Sequence, residues 1–359
     1  MESEATPRKK SSSGLAAIFL SIAIVAILAF FALTNLSTIT SIFNLGNSTT
    51  TVPVTSSYIG SGNFTLGYPS NYNFLANYAL SLINTDRMNY GVSNVTLSPI
   101  VSAQEHAYSM YENGYFSHWD VNGYKPYMRY SLLNGTGAVE ENVAFESTSS
   151  VLGTFTNTLA EETAIKNLEY DMVYNDSACC QNGHLLNIIN PYHNRVSIGI
   201  MYGSDNIYFV EDFENYYIDL NSSSLFVPST DTVTLKGASS ISLNPDTVVI
   251  SWDPLPTSLS PSVLDSVYQR PYDEGTFLGG VIPCSNGVFC TTQFSGNTIT
   301  IQPETWDVTS SSVTIVFSLV RFIEESGSGV YTIYLTQNTF ASNPNETESL
   351  TSISLFINA

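Results

Sequence analysis

Charged side chains are scarce in this chain of 359 residues, and positively charged ones are scarcer still. Asp, Glu, Lys and Arg make up 12% of the residues, about half of the share usual in soluble domains. Eleven Lys and Arg stand against 31 Asp and Glu, which gives a formal net charge of −20 at pH 7. Nucleic acids bind to surfaces rich in Lys and Arg, so this composition argues against a nucleic-acid partner. A protein surface rich in Ser, Thr, Asn and Tyr stays soluble when its carboxylates are protonated. We therefore expect that the protein works in an acidic medium.

Cysteine is also rare, with four residues in the whole chain. Cys284 and Cys290 enclose five residues that include Gly287, and in an exported chain this spacing predicts a local disulfide. Cys179 and Cys180 are adjacent, so they form either a vicinal disulfide or two separate thiols. The spacing of the four residues excludes a zinc site of the C-x-x-C type.

Histidine is rare as well, and its four residues fall within 88 consecutive positions. His118 follows a Phe-Ser pair and precedes a Trp and a turn, and His184 follows a Gly in a polar stretch. Both are candidates for a polar site. His106 lies among the apolar residues of a predicted helix, and we expect it to pack there. His193 lies in an Asn-Pro-Tyr-His-Asn loop, where we expect it to be exposed.

One long apolar run stands near the beginning of the chain. Between Leu15 and Leu33 the only polar residue is Ser21, and the run is long enough to cross most of a hydrocarbon core. Residues 8–10 are Arg-Lys-Lys, which the positive-inside rule places in the cytoplasm. We therefore predict a cytoplasmic tail at 1–13 and a transmembrane signal-anchor at 14–34, with residues 15–33 in contact with the membrane. A cleaved signal peptide is the alternative, and both interpretations export the rest of the chain.

Glycosylation sequons agree with export. After the apolar run, residues 35–70 are dominated by Ser, Thr, Asn and Gly and predict a stalk. The N-x-[ST] sequons lie at Asn35, Asn47, Asn63, Asn94, Asn134, Asn175, Asn221 and Asn345.

The pattern changes at Asn71, where residues 71–219 predict a domain that mixes helices and strands. Apolar residues at helical spacing predict one helix from Asn71 to Gly91 and another at Thr158–Val173. The second helix, which lies between these two in the chain, is predicted to begin at Ser98-Pro99, a capping residue followed by proline. Alternating apolar residues over 196–202 and 207–213 predict a hairpin of two strands.

The remainder of the chain reads as β structure. A Ser-rich linker at 220–230 precedes short β-branched segments separated by Gly, Pro and Asn, which predict an all-β antiparallel sandwich at 231–359. This part contains no histidine, and we expect it to act as a spacer or an adhesion module. The predicted strands are Thr232–Leu235, Thr247–Trp252, Thr298–Ile301, Val313–Leu319, Val330–Leu335 and Ile353–Ile357.

Residues 71–215 contain several short motifs in a fixed order, and together they resemble the CAP superfamily, also called the SCP/PR-1 family. A Glu stands at position 140, where the family usually has Gly before Glu-Asn. The match covers about 40% of the chain. The motifs are Ile83-Asn84-x-x-Arg87, Leu97-Ser98-Pro99, Ala103-x-x-His106-Ala107-x-x-Met110, Gly114-Tyr115-Phe116-Ser117-His118, Glu141-Asn142-Val143-Ala144, Gly183-His184-x-x-Asn187-Ile188 and Val196-Ser197-Ile198-Gly199.

The resemblance implies a three-layer α-β-α sandwich with a cleft lined by two histidines and two acidic residues. Carried over by position, these are His118, Glu141, His184 and a Glu on the third helix. Glu169 fits that last position best and Glu162 is the alternative, but the Trp that the family carries on this helix is absent. Two imidazoles and nearby carboxylates are donors that suit Zn²⁺ or a similar divalent ion, with His118 and His184 as the metal ligands.

These features predict a membrane-anchored extracellular protein of the cell surface. Its cleft would bind a ligand, a lipid, or a protein or glycan partner at the surface. A metal-assisted hydrolase with Glu141 as general base is a less favoured alternative. A purely structural or adhesive surface component is another.

Overall fold

The protein is described from a computed structural model, which covers residues 48–53, 63–147, 158–221, 226–228, 230–239, 241–283, 298–338 and 347–358. The described residues belong to one compact unit, Asn47–Ala359. Among the helices of these ranges, none combines the length and the apolar character needed to cross a membrane. The sequence predictions that lie outside the described residues are the cytoplasmic tail, the signal-anchor at 14–34, the Cys284–Cys290 disulfide and the sequons at Asn35, Asn47 and Asn345.

A four-stranded sheet forms the centre of the first part of the chain, with the strand order β3–β5–β6–β4. β5 and β6 form the predicted antiparallel hairpin, and β4 pairs with the other edge of β6 so that Glu141 lies opposite Asp212. β3 pairs with β5 in parallel. The strands are β3 (Thr96–Leu97), β4 (Ala138–Ser147), β5 (Arg195–Tyr202) and β6 (Asn206–Asn215).

Helices cover both faces of this sheet and give the expected three layers. On one face, Ile83 of α1 and Ile165 of α4 share an apolar core with Ile198 and Phe209. On the other face, Met110 of α2 belongs to a core that includes sheet residues. The helices are α1 (Tyr72–Asn89), α2 (Ser102–Asn113), α3 (Pro126–Leu132), α4 (Thr158–Tyr174) and α5 (Gly183–Ile188).

The start of α2 differs from the prediction. The N–H of Ser98 donates to the carbonyl of Val196 at 2.8 Å, which continues the parallel pairing of β3 beyond its last residue. The hydroxyl of Ser98 accepts from the N–H of Ile100 at 3.1 Å, so the Ser-Pro pair forms a turn. The helix therefore begins at Ser102.

Part of the segment predicted as a stalk is folded. β1 (Ser48–Pro53) and β2 (Asn63–Tyr68) form an antiparallel pair, and Phe64 and Leu66 of β2 are buried. The amide of Gln104 on α2 donates to the carbonyl of Gly67 at 2.5 Å. The run of alternating apolar residues in β2 is short, and the sequence around it is rich in Ser and Thr. For this reason the composition of the segment predicted a stalk.

Two five-stranded sheets follow, and side chains from both meet in one apolar core. Ile315 of β14 and Ile333 of β15 are among the fully buried members of this core. The first sheet has the order β12–β11–β10–β15–β16, and the second has β13–β14–β9–β7 with β8 also paired to β9. The strands are β7 (Asp219–Leu220), β8 (Phe226–Val227), β9 (Thr232–Ala238), β10 (Thr247–Asp253), β11 (Thr276–Val281), β12 (Ile299–Ile301), β13 (Thr305–Val308), β14 (Ser312–Ser318), β15 (Gly329–Asn338) and β16 (Thr347–Ile357).

This region departs from the predicted all-β antiparallel sandwich in two ways. β11 and β12 pair in parallel. Two short helices, α6 (Pro261–Val267) and α7 (Val320–Ser326), interrupt the strands. α6 begins with Pro261 directly after Ser260. This is the Ser-Pro pattern that also predicted a helix start at Ser98-Pro99, and at Ser260 a helix does form.

The boundary between the two regions is closely packed. The described residues of the predicted linker are paired to β9 through β7 and β8. The hydroxyl of Ser131, on α3, accepts from the N–H of Ser354 at 3.0 Å, and the hydroxyl of Ser352 donates to the carbonyl of Gly137 at 3.0 Å. The C-terminal strand β16 therefore packs directly against the first region.

Four predicted glycosylation sites are exposed in the described part of the chain, and glycosylation itself stays a prediction. These sites are Asn94, Asn134, Asn175 and Asn221.

Candidate functional site

A cavity of about 560 Å³ lies between the first region and a segment of the second. One wall is formed by residues that include His118, Glu141 and His184, so the structure brings three of the four predicted cleft residues together. The opposite wall is formed by residues 269–272 and Glu274, which precede β11. Ligand sites commonly have volumes of roughly 300–1,000 Å³, and this cavity falls within that range.

His118 is placed by the end of α2. Gly114 ends the helix in the left-handed conformation (φ 68°), and the chain then turns back along the sheet. The Nδ1 atom of His118 lies 2.9 Å from Oε1 of Glu141 on β4, and 13% of the His118 side chain remains exposed. The carboxylate therefore fixes the orientation of the ring and leaves Nε2 for other partners.

Glu141 is fully buried and both of its oxygens are engaged. Its Oε2 atom lies 2.6 Å from Nη2 of Arg129 and 2.7 Å from Nδ1 of His106, both of them buried. Burial would raise the pKa of Glu141, but His106 and Arg129 outweigh it and hold the pKa well below its usual range. Burial and the charge of Arg129 lower the pKa of His106 to about 4. His106 thus packs in the helix as expected, and it also supports Glu141.

His184 is held by an acidic residue that the sequence did not reveal. Its Nδ1 atom lies 2.6 Å from Oδ1 of Asp176, and the other oxygen of Asp176 accepts from the N–H of Leu185 at 3.2 Å. The Asp176 side chain is fully buried, and 18% of the His184 side chain is exposed. Asp176 is in a 3₁₀ turn (Asp176–Ala178) just before α5, eight residues from His184, and an irregular turn rather than a regular element joins the two.

The two candidates for the fourth cleft position lie elsewhere. Glu169 is buried beside Glu211 of β6, and neither it nor the half-buried Glu162 is among the residues that line the cavity. The amide of Asn142 donates to Oε2 of Glu211 at 3.1 Å, and Asn142 does line the cavity. Glu169 therefore lies behind the cavity wall, and Asp176 is the second carboxylate that orients a cavity histidine.

His193 is buried, contrary to the exposed position expected from the sequence. Its Nε2 atom lies 2.8 Å from Oδ1 of Asn187, and its Nδ1 atom lies 2.7 Å from Oδ1 of Asn215. Its ring stacks on Phe213 with centroids 5.4 Å apart. These contacts make His193 a packing residue behind Asn187, which lines the cavity.

The second region contributes polar groups to the cavity, although its sequence indicated no functional site. The Tyr272 hydroxyl accepts from the N–H of Glu141 at 3.0 Å, and its ring meets His118 with centroids 5.0 Å apart. Burial and the nearby carboxylate of Glu274 raise the pKa of Glu140 to about 7. The one feature of the sequence that could have indicated this part of the site is the run of polar and aromatic residues Gln-Arg-Pro-Tyr-Asp-Glu-Gly between two predicted strands.

Several bonds fix this segment to the first region. The hydroxyl of Ser117 donates to the carbonyl of Tyr268 at 2.9 Å, and the N–H of Phe116 donates to Asp265 at 2.8 Å. Nζ of Lys125 lies 2.5 Å from Oδ1 of Asp273. The opposite wall is therefore attached just before its first cavity residue and again at Asp273, between Tyr272 and Glu274.

The structure decides one of the alternatives for the cysteines, because Cys179 and Cys180 are bonded to each other as a vicinal disulfide. Both line the cavity.

For a divalent ion, His118 and His184 fit as a pair of nitrogen donors, since each is oriented by a carboxylate at Nδ1 in the manner of ligating histidines. Glu141 does not fit as a third ligand, because the Arg129 guanidinium lies 2.6 Å from its Oε2 atom and its positive charge would repel the ion.

Comparison with known proteins finds one matching family for part of this chain. Residues 80–213 match the family model described as "CAP: Cysteine-rich secretory protein family". A search of curated proteins found no match. Among solved structures, the chain is similar to an extracellular protein containing an SCP domain from Bacillus anthracis str. Ames, with 17% identity, coverage of 40% of each chain and a TM-score of 0.29. It is also similar to the CAP domain of enterococcal PrgA, with 14% identity, coverage of 39% of this chain and 60% of that one, and a TM-score of 0.29.

The matches span less than two thirds of either solved chain, so they concern the domain and not the whole proteins. The resemblance read from the motifs is confirmed for the residues that carry them. Residues 80–213 of this chain form a CAP domain of the cysteine-rich secretory protein family.

Proposed function

We propose that this protein is a cell-surface binding protein, anchored in the membrane through residues 15–33, whose cavity binds a small hydroxyl-rich ligand such as the sugar units of a surface glycan. The observation that carries this proposal is the composition of the cavity wall. Imidazole, amide, carboxylate, phenol and guanidinium groups from both regions face one space, including Asn142, Asn187, Gln269, Arg270 and Tyr272.

These groups suit hydroxyl partners because together they offer both hydrogen-bond donors and acceptors. An acyl chain would bury the same groups without partners, at a cost of about 1–3 kcal/mol for each. Apolar atoms also line much of the cavity, among them those of Phe116, Val143 and Pro271, and they could pack against the faces of a sugar ring.

The hydrolase alternative finds less support in the geometry. A general base needs a free oxygen and a pKa near the working pH. Glu141 has no free oxygen, and His106 and Arg129 hold its pKa well below the usual range. Its contacts are those of a group that positions His118.

Binding can be tested with the full-length protein, purified in detergent, on an array of neutral and acidic oligosaccharides. We expect selective binding that is lost in His184→Ala, while circular dichroism shows that the variant remains folded at the assay temperature. Phospholipid vesicles without glycolipid serve as the lipid control. Folded wild-type protein that binds no oligosaccharide would contradict the proposal, as would binding that is unaffected by His184→Ala.

The anchor is tested separately in cells. The full-length chain is expected to stay in the membrane fraction after alkaline extraction, and a chain that lacks residues 1–36 is expected to be soluble. Release of the full-length chain under the same conditions would show that residues 15–33 do not anchor it.

A further inference from the structure

A group of four possible metal ligands lies at one side of the cavity, apart from His118. Asp176, Cys179, Cys180 and His184 each offer a ligand atom, and these atoms all lie within 4.8 Å of one another. It is the one group of three or more such residues found in the part of the chain that the structure describes. We propose that, once the Cys179–Cys180 disulfide is reduced, these four residues bind a Zn²⁺ ion.

The donor set is what selects the ion. Two thiolates, an imidazole and a carboxylate match the tetrahedral sulfur and nitrogen coordination that Zn²⁺ favours, whereas Mg²⁺ and Ca²⁺ favour oxygen ligands. The two cavity histidines offer only a pair of nitrogens. The thiol-containing group can therefore supply a closed set of four ligands, which the pair of histidines lacks.

The local structure brings the ligands together before any ion is present. The Asp176 carboxylate is buried, its Oδ1 atom lies 2.6 Å from Nδ1 of His184, and its other oxygen accepts from the N–H of Leu185. An ion held by both residues would take the place of the hydrogen bond between Oδ1 and Nδ1. Gln181 and Asn182 both have positive φ (55° and 66°), and this turn brings the chain from the cysteines back to His184. A reductant can reach the disulfide, because Cys179 is exposed and Cys180 is half-buried at the cavity.

The chemistry requires a reductant, which we take to be a dithiol. The dithiol supplies two electrons and two protons as it closes its own disulfide, the S–S bond between Cys179 and Cys180 breaks, and two thiols form. Binding of the cation releases both thiol protons to solvent. The disulfide is thus the form without metal, and the reduced pair is the form that binds metal.

Cobalt titration tests this inference directly. The full-length protein is reduced with excess dithiol, freed of it without oxygen, and titrated with Co²⁺, which gives a thiolate-to-metal charge-transfer absorption only when sulfur is a ligand. We expect one Co²⁺ for each chain, displacement by Zn²⁺ but not by Mg²⁺, and no such absorption for the oxidised protein. Absence of the absorption in reduced wild-type protein would overturn the proposal.

Four variants locate the ion. Cys180→Ser and Asp176→Asn should abolish or strongly weaken the absorption, and the half-buried position of Cys180 makes its substitution mild for folding. The absorption should persist in His118→Asn and in the double variant Cys284→Ser/Cys290→Ser. Loss in either of these last two, with retention in Cys180→Ser, would overturn the assignment. The result is independent of whether the cavity binds glycans, because the titration contains the metal ion alone and no oligosaccharide.

Discussion

Lys125, at the N-terminal end of α3 in the CAP domain, forms a buried ion pair with Asp253 at the end of β10. The Nζ atom lies 2.7 Å from Oδ1 of Asp253, and both side chains are less than a tenth exposed. The other oxygen of Asp253 accepts from the hydroxyl of Tyr127 at 2.6 Å. This pair connects the domain to β10, and the same Nζ atom also contacts Asp273 of the chain segment that closes the cavity.

Substitution of Lys125 by Met should therefore destabilise the protein strongly. An uncompensated buried carboxylate costs about 3–5 kcal/mol, because Asp253 loses its cation but remains out of water. Urea unfolding measures the change. The double variant Lys125→Met/Asp253→Leu should recover much of the loss, and a single variant within about 1 kcal/mol of the wild type would contradict the importance of the pair.

Removal of one hydroxyl tests the contact between Tyr272 and the strand that carries Glu141. Tyr272→Phe leaves the buried N–H of Glu141 without an acceptor, which should cost about 1–3 kcal/mol in the free energy of unfolding. The matched control is Tyr216→Phe, whose hydroxyl donates to exposed Asp219 and should change stability by less than about 0.5 kcal/mol. Equal effects of the two variants would argue against the bond.

Stability should increase toward acidic pH. Burial raises the pKa of Glu211 and of Glu214 to about 7, and it raises the pKa values of Glu169 and Asp212 well above the usual range. Because these pKa values exceed those of the unfolded chain, the folded protein binds more protons between about pH 4.3 and 7. The stabilisation is complete below that window and is lost as the pH rises through it.

Two histidines act in the opposite direction. Burial lowers the pKa of His106 to about 4 and that of His193 to about 3, so their contribution is lost as the pH falls below about 6.5. The carboxyl groups outnumber them, and we expect a higher thermal midpoint at pH 5 than at pH 8. Scanning calorimetry at several pH values measures it, and a midpoint that rises steadily from pH 5 to 8 would refute this balance.

The Glu169–Glu211 pair accounts for part of this behaviour and can be altered alone. At neutral pH the two buried carboxyls need a proton between them, because burial and the charge of Glu211 disfavour ionised Glu169. Glu169→Gln supplies a permanent donor, so it should raise the midpoint at pH 8 and flatten the pH dependence. Glu162→Gln, on the same helix but half-buried, is the control and should leave the pH dependence unchanged.

The sequence revealed those parts of the molecule that depend on local periodicity and on ordered motifs. α1, α4 and the hairpin of β5 and β6 were predicted from apolar spacing, and the motifs singled out His118, Glu141 and His184, which line one cavity in the structure. Periodicity marks which face of an element is buried, but it does not show what that face meets.

Residues whose role depends on distant contacts were therefore missed. Glu169 lies on the buried face of α4, and only the fold shows that this face meets Glu211 behind the cavity. Tyr272 contacts Glu141 across 131 positions of the chain, and no local pattern reports such a pairing. Asp176 is close to His184 along the chain, but an irregular turn joins them, so no regular spacing predicted their bond.

The central claim is that the segment before β11 is a wall of the binding site, and Arg270 tests it most directly. Arg270 is exposed at the cavity, and its guanidinium lies 5.7 Å from the ring centroid of Trp119. Arg321, exposed on α7 and absent from the cavity lining, provides the matched control. We would measure by calorimetry the affinity of the oligosaccharide selected on the array for both Arg→Gln variants. Arg270→Gln should weaken binding by about tenfold or more and Arg321→Gln should leave it unchanged, whereas equal affinities would contradict the account.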